Sequence, residues 1–201
     1  MITAQALITK FRFALDQNWG YIWCGAGQTW TQAKQDAATR AMTVKYGSRW
    51  IGKRVADCSG LFSWAFKELG GYMYHGSNTM WNKYCTYQGT LKSGTTLRPG
   101  TAVFLVNSAG SRHHVGLFLG GDTVVEAKGT AYGVVTSKLS HWDEWGELAG
   151  VDYTNDGGVT IVTTLRKGDK GEDVRALQNK LLAQGYSLPE HGADGIYGAE
   201  T

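Results

Sequence analysis

The chain has 201 residues, of which 42% are hydrophobic and 12% aromatic, enough for one sizeable core and a smaller remainder. Charged residues reach only 18% and the formal net charge is +3, which excludes a nucleic-acid surface built on dense Lys and Arg while favouring an anionic partner. No segment is apolar for long enough to span a bilayer, and residues 1–10 lack the basic start and apolar run of a Sec-type signal, so neither membrane insertion nor signal-led export is expected. Cys24, Cys58 and Cys85 are odd in number and irregularly spaced. This argues against a disulfide framework and a zinc knuckle, so no metal or other cofactor is expected and at least one thiol is free.

Taken in chain order, Ile2, Leu7, Phe11, Ala14 and Leu15 recur near one stripe, predicting an opening helix that Gly20 follows as a stop. The Ala, Gln and Lys-rich stretch from about Thr31 to Tyr46 predicts a surface helix ending at Gly47. Leu61, Phe62, Ala65, Phe66 and Leu69 then recur at helical intervals after Asp57-Cys58-Ser59-Gly60, predicting a central helix ended by Gly70-Gly71. From the turn Leu97-Arg98-Pro99-Gly100 onward, strands are predicted: Thr101 to Val106, a hairpin of residues 114–119 and 123–127, and a further pairing at Tyr132 to Thr136. Helices followed by strands give an α+β domain with helices on one face of an antiparallel sheet.

Cys58 falls where a loop meets the first turn of a buried helix, where free N–H groups and the positive dipole end favour a thiolate. A helix terminus supplies about 0.3–1 kcal/mol, less than the ~2.7 kcal/mol needed to lower a thiol by about two units, so a cationic partner is required. His114 starts a strand, leaves Val115, Leu117 and Leu119 together as an apolar face, and has Gly116 two residues on, leaving room for the helix that carries Cys58. His113 points to the other face and reads as a rim histidine. Glu126 shares a face with His114 if the hairpin loop is odd, whereas a two-residue Gly120-Gly121 turn puts it on the opposite side. Together these residue types supply nucleophile, base and orienting carboxylate for acyl transfer.

The segments Asp57-Cys58-Ser59-Gly60-Leu61, Leu97-Arg98-Pro99-Gly100 and His114-Val115-Gly116-Leu117-Phe118-Leu119-Gly120 resemble the NlpC-type peptidoglycan peptidases. The resemblance implies a papain-like α+β fold with Cys58 as nucleophile, His114 as base and Glu126 as third polar residue, a position often held by histidine in that family. Tyr21-Ile22-Trp23-Cys24-Gly25 is similar to the family's Tyr-x-Trp-Gly-Gly segment with Cys24 in place of a glycine. It implies that the Tyr21 hydroxyl lies near the thiol and the developing oxyanion, and that Asp57 and Ser59 help bind polar groups of the substrate. Core packing for Tyr21 and helix capping for Asp57 and Ser59 are the alternatives.

The polar stretch Thr154-Asn155-Asp156-Gly157-Gly158 opens an expected linker, giving a peptidase domain at 1–153, a linker at 154–164 and a smaller piece at 165–201. In that piece Val174, Leu177 and Leu181 share a helical face, Gly185 reads as the C-cap and Asp194-Gly195 as a turn. The segment from Leu165 to Gly198 resembles the first part of a peptidoglycan-binding helical module, truncated before its face is buried. The combined expectation is a monomeric hydrolase of the bacterial wall that binds no nucleic acid and cuts an amide of the stem peptide, with the γ-D-glutamyl to diamino-acid bond as the family's usual target. The muramoyl to L-alanine amide, transpeptidation on the same scaffold and wall binding without turnover are the alternatives. A wall-directed chain without a signal resembles phage or prophage lysins, which leave the cytoplasm through a separate pore.

Overall fold

The computed structural model describes residues 1–92, 94–154, 166–183 and 186–201. It divides into two compact units, Met1–Thr160 and Ile161–Thr201. Strand β1 (Ile2–Thr3) precedes helix α1 (Ala4–Asp16), so the opening helix starts two residues later than its apolar stripe. Ile2 and Thr3 instead pair in parallel with Val151 and Asp152, and the Thr3 hydroxyl caps the helix by accepting from the Ala6 N–H. Ala4, Leu7, Ile8, Phe11 and Ala14 form the buried face.

Strands β2 (Gly20–Tyr21) and β3 (Ala26–Thr29) follow. The surface helix expected from Thr31 to Tyr46 is broken into α2 (Gln32–Asp36) and α3 (Ala41–Tyr46). The first buries no residue and the second only Thr43, so no apolar stripe holds a continuous helix together. After a 3-10 turn, β4 (Arg54–Ala56) joins β2 and β3 in a small sheet of order β2-β4-β3. Strands therefore begin well before Leu97, contrary to the sequence expectation. The central helix α4 (Cys58–Glu68) is as expected: Asp57 is its N-cap, and Leu61, Phe62, Ala65 and Phe66 are buried.

Helix α5 (Ser77–Tyr84) and strand β5 (Cys85–Thr90) had no clear sequence signal, because α5 buries only Ser77, Met80 and Trp81 and most of β5 is exposed. Strands β6 (Ala102–Val106), β7 (Arg112–Gly120), β8 (Thr123–Gly129), β9 (Gly133–Lys138) and β10 (Glu144–Leu148) complete a six-stranded sheet of order β5-β10-β6-β7-β8-β9. All its pairings are antiparallel. The short β11 (Val151–Asp152) is the partner of β1.

Two apolar clusters lie on the two faces of this sheet. Val115, Leu117, Leu119, Val125 and Ala127 pack with Leu7, Phe11, Phe62 and Phe66 of α1 and α4 in the larger one. Val103, Phe118 and Val124 pack with Leu97 and Trp142 in the smaller one. The period-2 alternation of β7 and β8 thus feeds two cores, as a sheet covered on both faces requires.

In the second unit, α6 (Glu172–Ala183) buries Val174 and Gln178, while Leu177 and Leu181 are half-buried. Gln178 fixes the Asp194-Gly195 turn: its amide donates to Asp194 Oδ1 (2.9 Å) and to the Ile196 carbonyl (3.0 Å), and its Oε1 accepts from the Gly195 N–H (2.8 Å). Gly185 and positions 155–164 of the expected linker lie outside the described residues. Among the described residues no helix is long and apolar enough to cross a membrane.

Candidate active site

Cys58 is the first residue of α4 and is 7% exposed. The Asp57 carboxylate organises the turn that presents it. Oδ1 accepts from the Gly60 N–H (2.8 Å) and the Ser59 hydroxyl (3.4 Å), and Oδ2 accepts from the Cys24 N–H (2.7 Å), tying the 21–25 segment to the start of the helix. A side chain at Gly60 is impossible, since its Cβ would lie 1.9 Å from the Gly25 carbonyl oxygen. The last glycine of Asp-Cys-Ser-Gly therefore lets the helix start press against that segment.

His114 enters from β7 close enough to Cys58 for the thiol to help raise its pKa. Its Nε2 lies 2.7 Å from Glu126 Oε2, which leaves Nδ1 as the ring nitrogen that meets the thiol. The imidazole and the carboxylate are 13% and 7% exposed. Burial, the largest influence on His114, acts to lower its pKa, but hydrogen bonds to Cys58 and Glu126 together with their charges outweigh it and push the value up to about 9. Burial likewise acts to raise Glu126, and the hydrogen bonds from His114 and Ser137 outweigh it, so the carboxyl is held below its ordinary value.

The hairpin loop is the two-residue Gly121-Asp122, the case that was expected to turn Glu126 away. A register shift between Phe118 and Gly120 compensates: Gly120 pairs with Thr123 but Phe118 pairs with Val124, leaving Leu119 as an extra residue. With Leu117 opposite Val125, Gly116 falls opposite Glu126, and His114 and Glu126 share a face. The room over Gly116 is not taken by the cysteine helix. A Cβ there would meet Trp142 at 2.8 Å and Val124 at 2.6 Å, so the indole fills the space that the helix was expected to occupy.

Tyr21 is half-buried and close enough to Cys58 to feel its charge; burial first, then the Cys58 and Asp57 charges, push its phenol well above the ordinary tyrosine value. It stays a protonated donor. Ser59 is buried with its hydroxyl on Asp57, so Asp57 and Ser59 are both engaged within the helix start while also lining the cleft. That cleft, about 220 Å³, is bounded by Trp23, Cys24, Cys58, His75, Ser77 and His113 among others.

His75, which carries no motif in the sequence, places its Nε2 2.7 Å from Asp57 Oδ1, and this hydrogen bond outweighs burial and raises its pKa. The only signal was a histidine before Gly76-Ser77 at the start of an unforeseen helix. His113 is exposed at the rim, as expected, but the rim is that of this cleft. Cys24 is exposed and takes φ +62°, the left-handed region that a glycine adopts without strain. Cys85 is a free thiol that burial pushes up to about 12. Among the described residues no group of three or more His, Cys, Asp or Glu side chains is arranged to hold a metal ion.

A helix-borne thiol meeting a strand-borne imidazole that is backed by a carboxylate, on an antiparallel sheet with helices packed against it, defines the papain-like cysteine peptidase class of fold. Within that class the chain belongs to the NlpC/P60 family, whose model matches residues 41–147, more than half of the chain. The NlpC/p60 domain of the peptidoglycan hydrolase SagA superposes with a TM-score of 0.50 at 14% identity, covering 73% of this chain and all of that one. A NlpC/P60 family protein from Bacillus cereus gives 0.50 at 16% identity, covering 73% of this chain and 40% of the other.

In sequence, the chain is 29% identical over 126 residues to a probable endopeptidase of Corynebacterium glutamicum, covering 63% of this chain and 56% of the relative. It is 56% identical over 39 residues, 19% of its length, to the N-acetylmuramoyl-L-alanine amidase CwlL of Bacillus licheniformis. The chain thus spans about half of the endopeptidase, and its match to the amidase covers 11% of that protein.

Proposed function

We propose that this protein is a cysteine-type endopeptidase of bacterial peptidoglycan. One observation carries the reading: Cys58 starts a helix at an open cleft beside His114, whose Nε2 is held 2.7 Å from Glu126 Oε2. Family membership and relatives named as peptidoglycan hydrolase and endopeptidase support the choice of polymer.

In this mechanism the Cys58 thiolate, favoured by the neighbouring imidazolium and the helix N-terminus, attacks an amide carbonyl of the stem peptide. Charge on the carbonyl oxygen is met by the free backbone N–H at the helix start and by the Tyr21 hydroxyl. His114 gives its proton to the leaving amine, and the acyl-enzyme forms on sulfur. Water then enters, His114 removes its proton, and the thiolate is released. Glu126 keeps the imidazole oriented with Nδ1 toward sulfur. The bond cut is the γ-D-glutamyl to diamino-acid link of the stem. The unit containing α6 has a sequence that resembles the first part of a peptidoglycan-binding module, which supports the same choice of polymer.

Purified walls are digested with the wild type and with Cys58→Ala, and the released muropeptides are weighed by mass spectrometry. The wild type should release fragments ending in γ-D-glutamate, and the variant none. Equal release by both proteins would remove the peptidase reading.

A further inference from the structure

Beside the thiol cleft lies a larger cavity of about 450 Å³, whose walls include Tyr21, Trp23, Arg40, Met42, Thr43 and Thr130. Trp23 lines both spaces, so the two adjoin. Its lining draws on Arg40 and the first turn of α3, and on Gly129 and Thr130 at the end of the strand that carries Glu126. Among the described residues no acidic side chain lines the cavity, and Arg40 is the one cation that does.

The Arg40 guanidinium lies 4.4 Å over the Trp23 ring. Arg40 makes no side-chain cap of α3, although it occupies the N-cap position. Trp23 and Met42 are 51% and 53% exposed, large apolar groups held in solvent next to a positive charge. A guanidinium held over an indole can still present its N–H edge, and that edge matches a planar carboxylate in two parallel hydrogen bonds. The indole and the thioether supply contact for a short alkyl segment beside it.

We infer that this cavity receives a stem-peptide residue bearing a free carboxylate, with Arg40 reading the charge and Trp23 holding the guanidinium in place. The inference rests on the peptidase reading above and adds the chemistry of one substrate residue. Two carboxylates of the stem fit: the α-carboxyl of the γ-linked D-glutamate and the side-chain carboxyl of a diaminopimelate at the diamino-acid position.

Three synthetic L-alanyl-γ-D-glutamyl-diaminopimelyl-D-alanine peptides separate them: one unmodified, one amidated at the glutamate α-carboxyl and one at the diaminopimelate side-chain carboxyl. The wild type should lose about tenfold in kcat/KM on one of the amidated peptides, the loss of a charge-assisted pair, and the sensitive position names the residue in the cavity. Arg40→Gln should cleave all three at rates within about twofold, and Arg40→Lys should recover part of the preference, because a point charge keeps attraction without the fork. A wild type indifferent to both amidations, or a preference unchanged in Arg40→Gln, overturns the inference and leaves the peptidase reading standing. No cleavage of any of the three by the wild type overturns both.

Discussion

The indole of Trp142 lies nearly parallel to the imidazole of His114, with ring centroids 5.5 Å apart and an interplanar angle of 12°. The same indole donates its Nε1–H to Ser137 Oγ at 3.2 Å, and Ser137 in turn helps hold the Glu126 carboxyl below its ordinary value. One side chain therefore supports the imidazole face directly and the carboxylate behind it through a serine. It sits there because Gly116 leaves the sheet bare beneath it. The His114 ring is held at its edge by Glu126 and over its face by Trp142, which leaves little freedom to rotate away from sulfur.

Two substitutions at Trp142 separate these contributions. Trp142→Phe keeps a ring over His114 and removes the hydrogen bond to Ser137, so turnover on purified walls should fall by a few fold, matched by Ser137→Ala. Trp142→Ala empties a site that is 5% exposed and should cost about 3–5 kcal/mol in urea unfolding, with a far larger loss of turnover. Wild-type activity in Trp142→Ala would refute the supporting role.

Glu126→Gln should move the pH profile in a fixed direction. Burial lowers the His114 pKa, and the partners Cys58 and Glu126 raise it above its ordinary 6.5 to about 9. Removing the carboxylate takes away part of the raising influence, so the imidazolium is lost at lower pH and the alkaline limb of kcat/KM shifts toward acid. The same sign governs stability. A histidine raised in the folded state contributes stability in full below about 6.5, and that contribution disappears as pH climbs through about 9. Thermal melts across this window should show the wild type losing Tm and Glu126→Gln losing less; identical slopes would count against the pairing.

Cys24→Gly should stabilise the protein. A side chain in the left-handed region costs roughly 1–2 kcal/mol, offset in part by the greater chain entropy of glycine when unfolded. With φ at +62° for Cys24, a net gain of about 0.5–1 kcal/mol is expected in denaturant unfolding. A loss would mean that the thiol makes contacts worth more than the strain it relieves.

Asp57→Ala should weaken the fold around the thiol by about 1–3 kcal/mol, since it removes a helix cap and leaves the Cys24 N–H without its partner. It also frees His75, whose pKa Asp57 raises mainly by hydrogen bonding. An NMR titration should find His75 deprotonating at lower pH in the variant than in the wild type. An unmoved titration would show that the ion pair does not form in solution.

Local rules made the cysteine helix legible. The spacing of Leu61, Phe62, Ala65 and Phe66 gives the period, Asp57 gives the cap, and alternation along β7 puts Val115, Leu117 and Leu119 on one core and His114 on the other side. Such patterns are written within a few residues, so they survive without knowledge of the rest of the chain. The face of Glu126 was different. A two-residue turn pointed one way and the extra residue at Leu119 reversed it, a choice made by pairing across the hairpin that composition does not reveal.

What lies against a side chain from a distant segment was decided only on folding. His75 reaches Asp57 across 18 positions, Trp142 claims the space over Gly116, and Arg40 comes to rest on Trp23. Periodicity assigns a residue to a face, but which remote group then fills that face depends on packing the whole domain at close density, and only the tertiary structure supplies that answer.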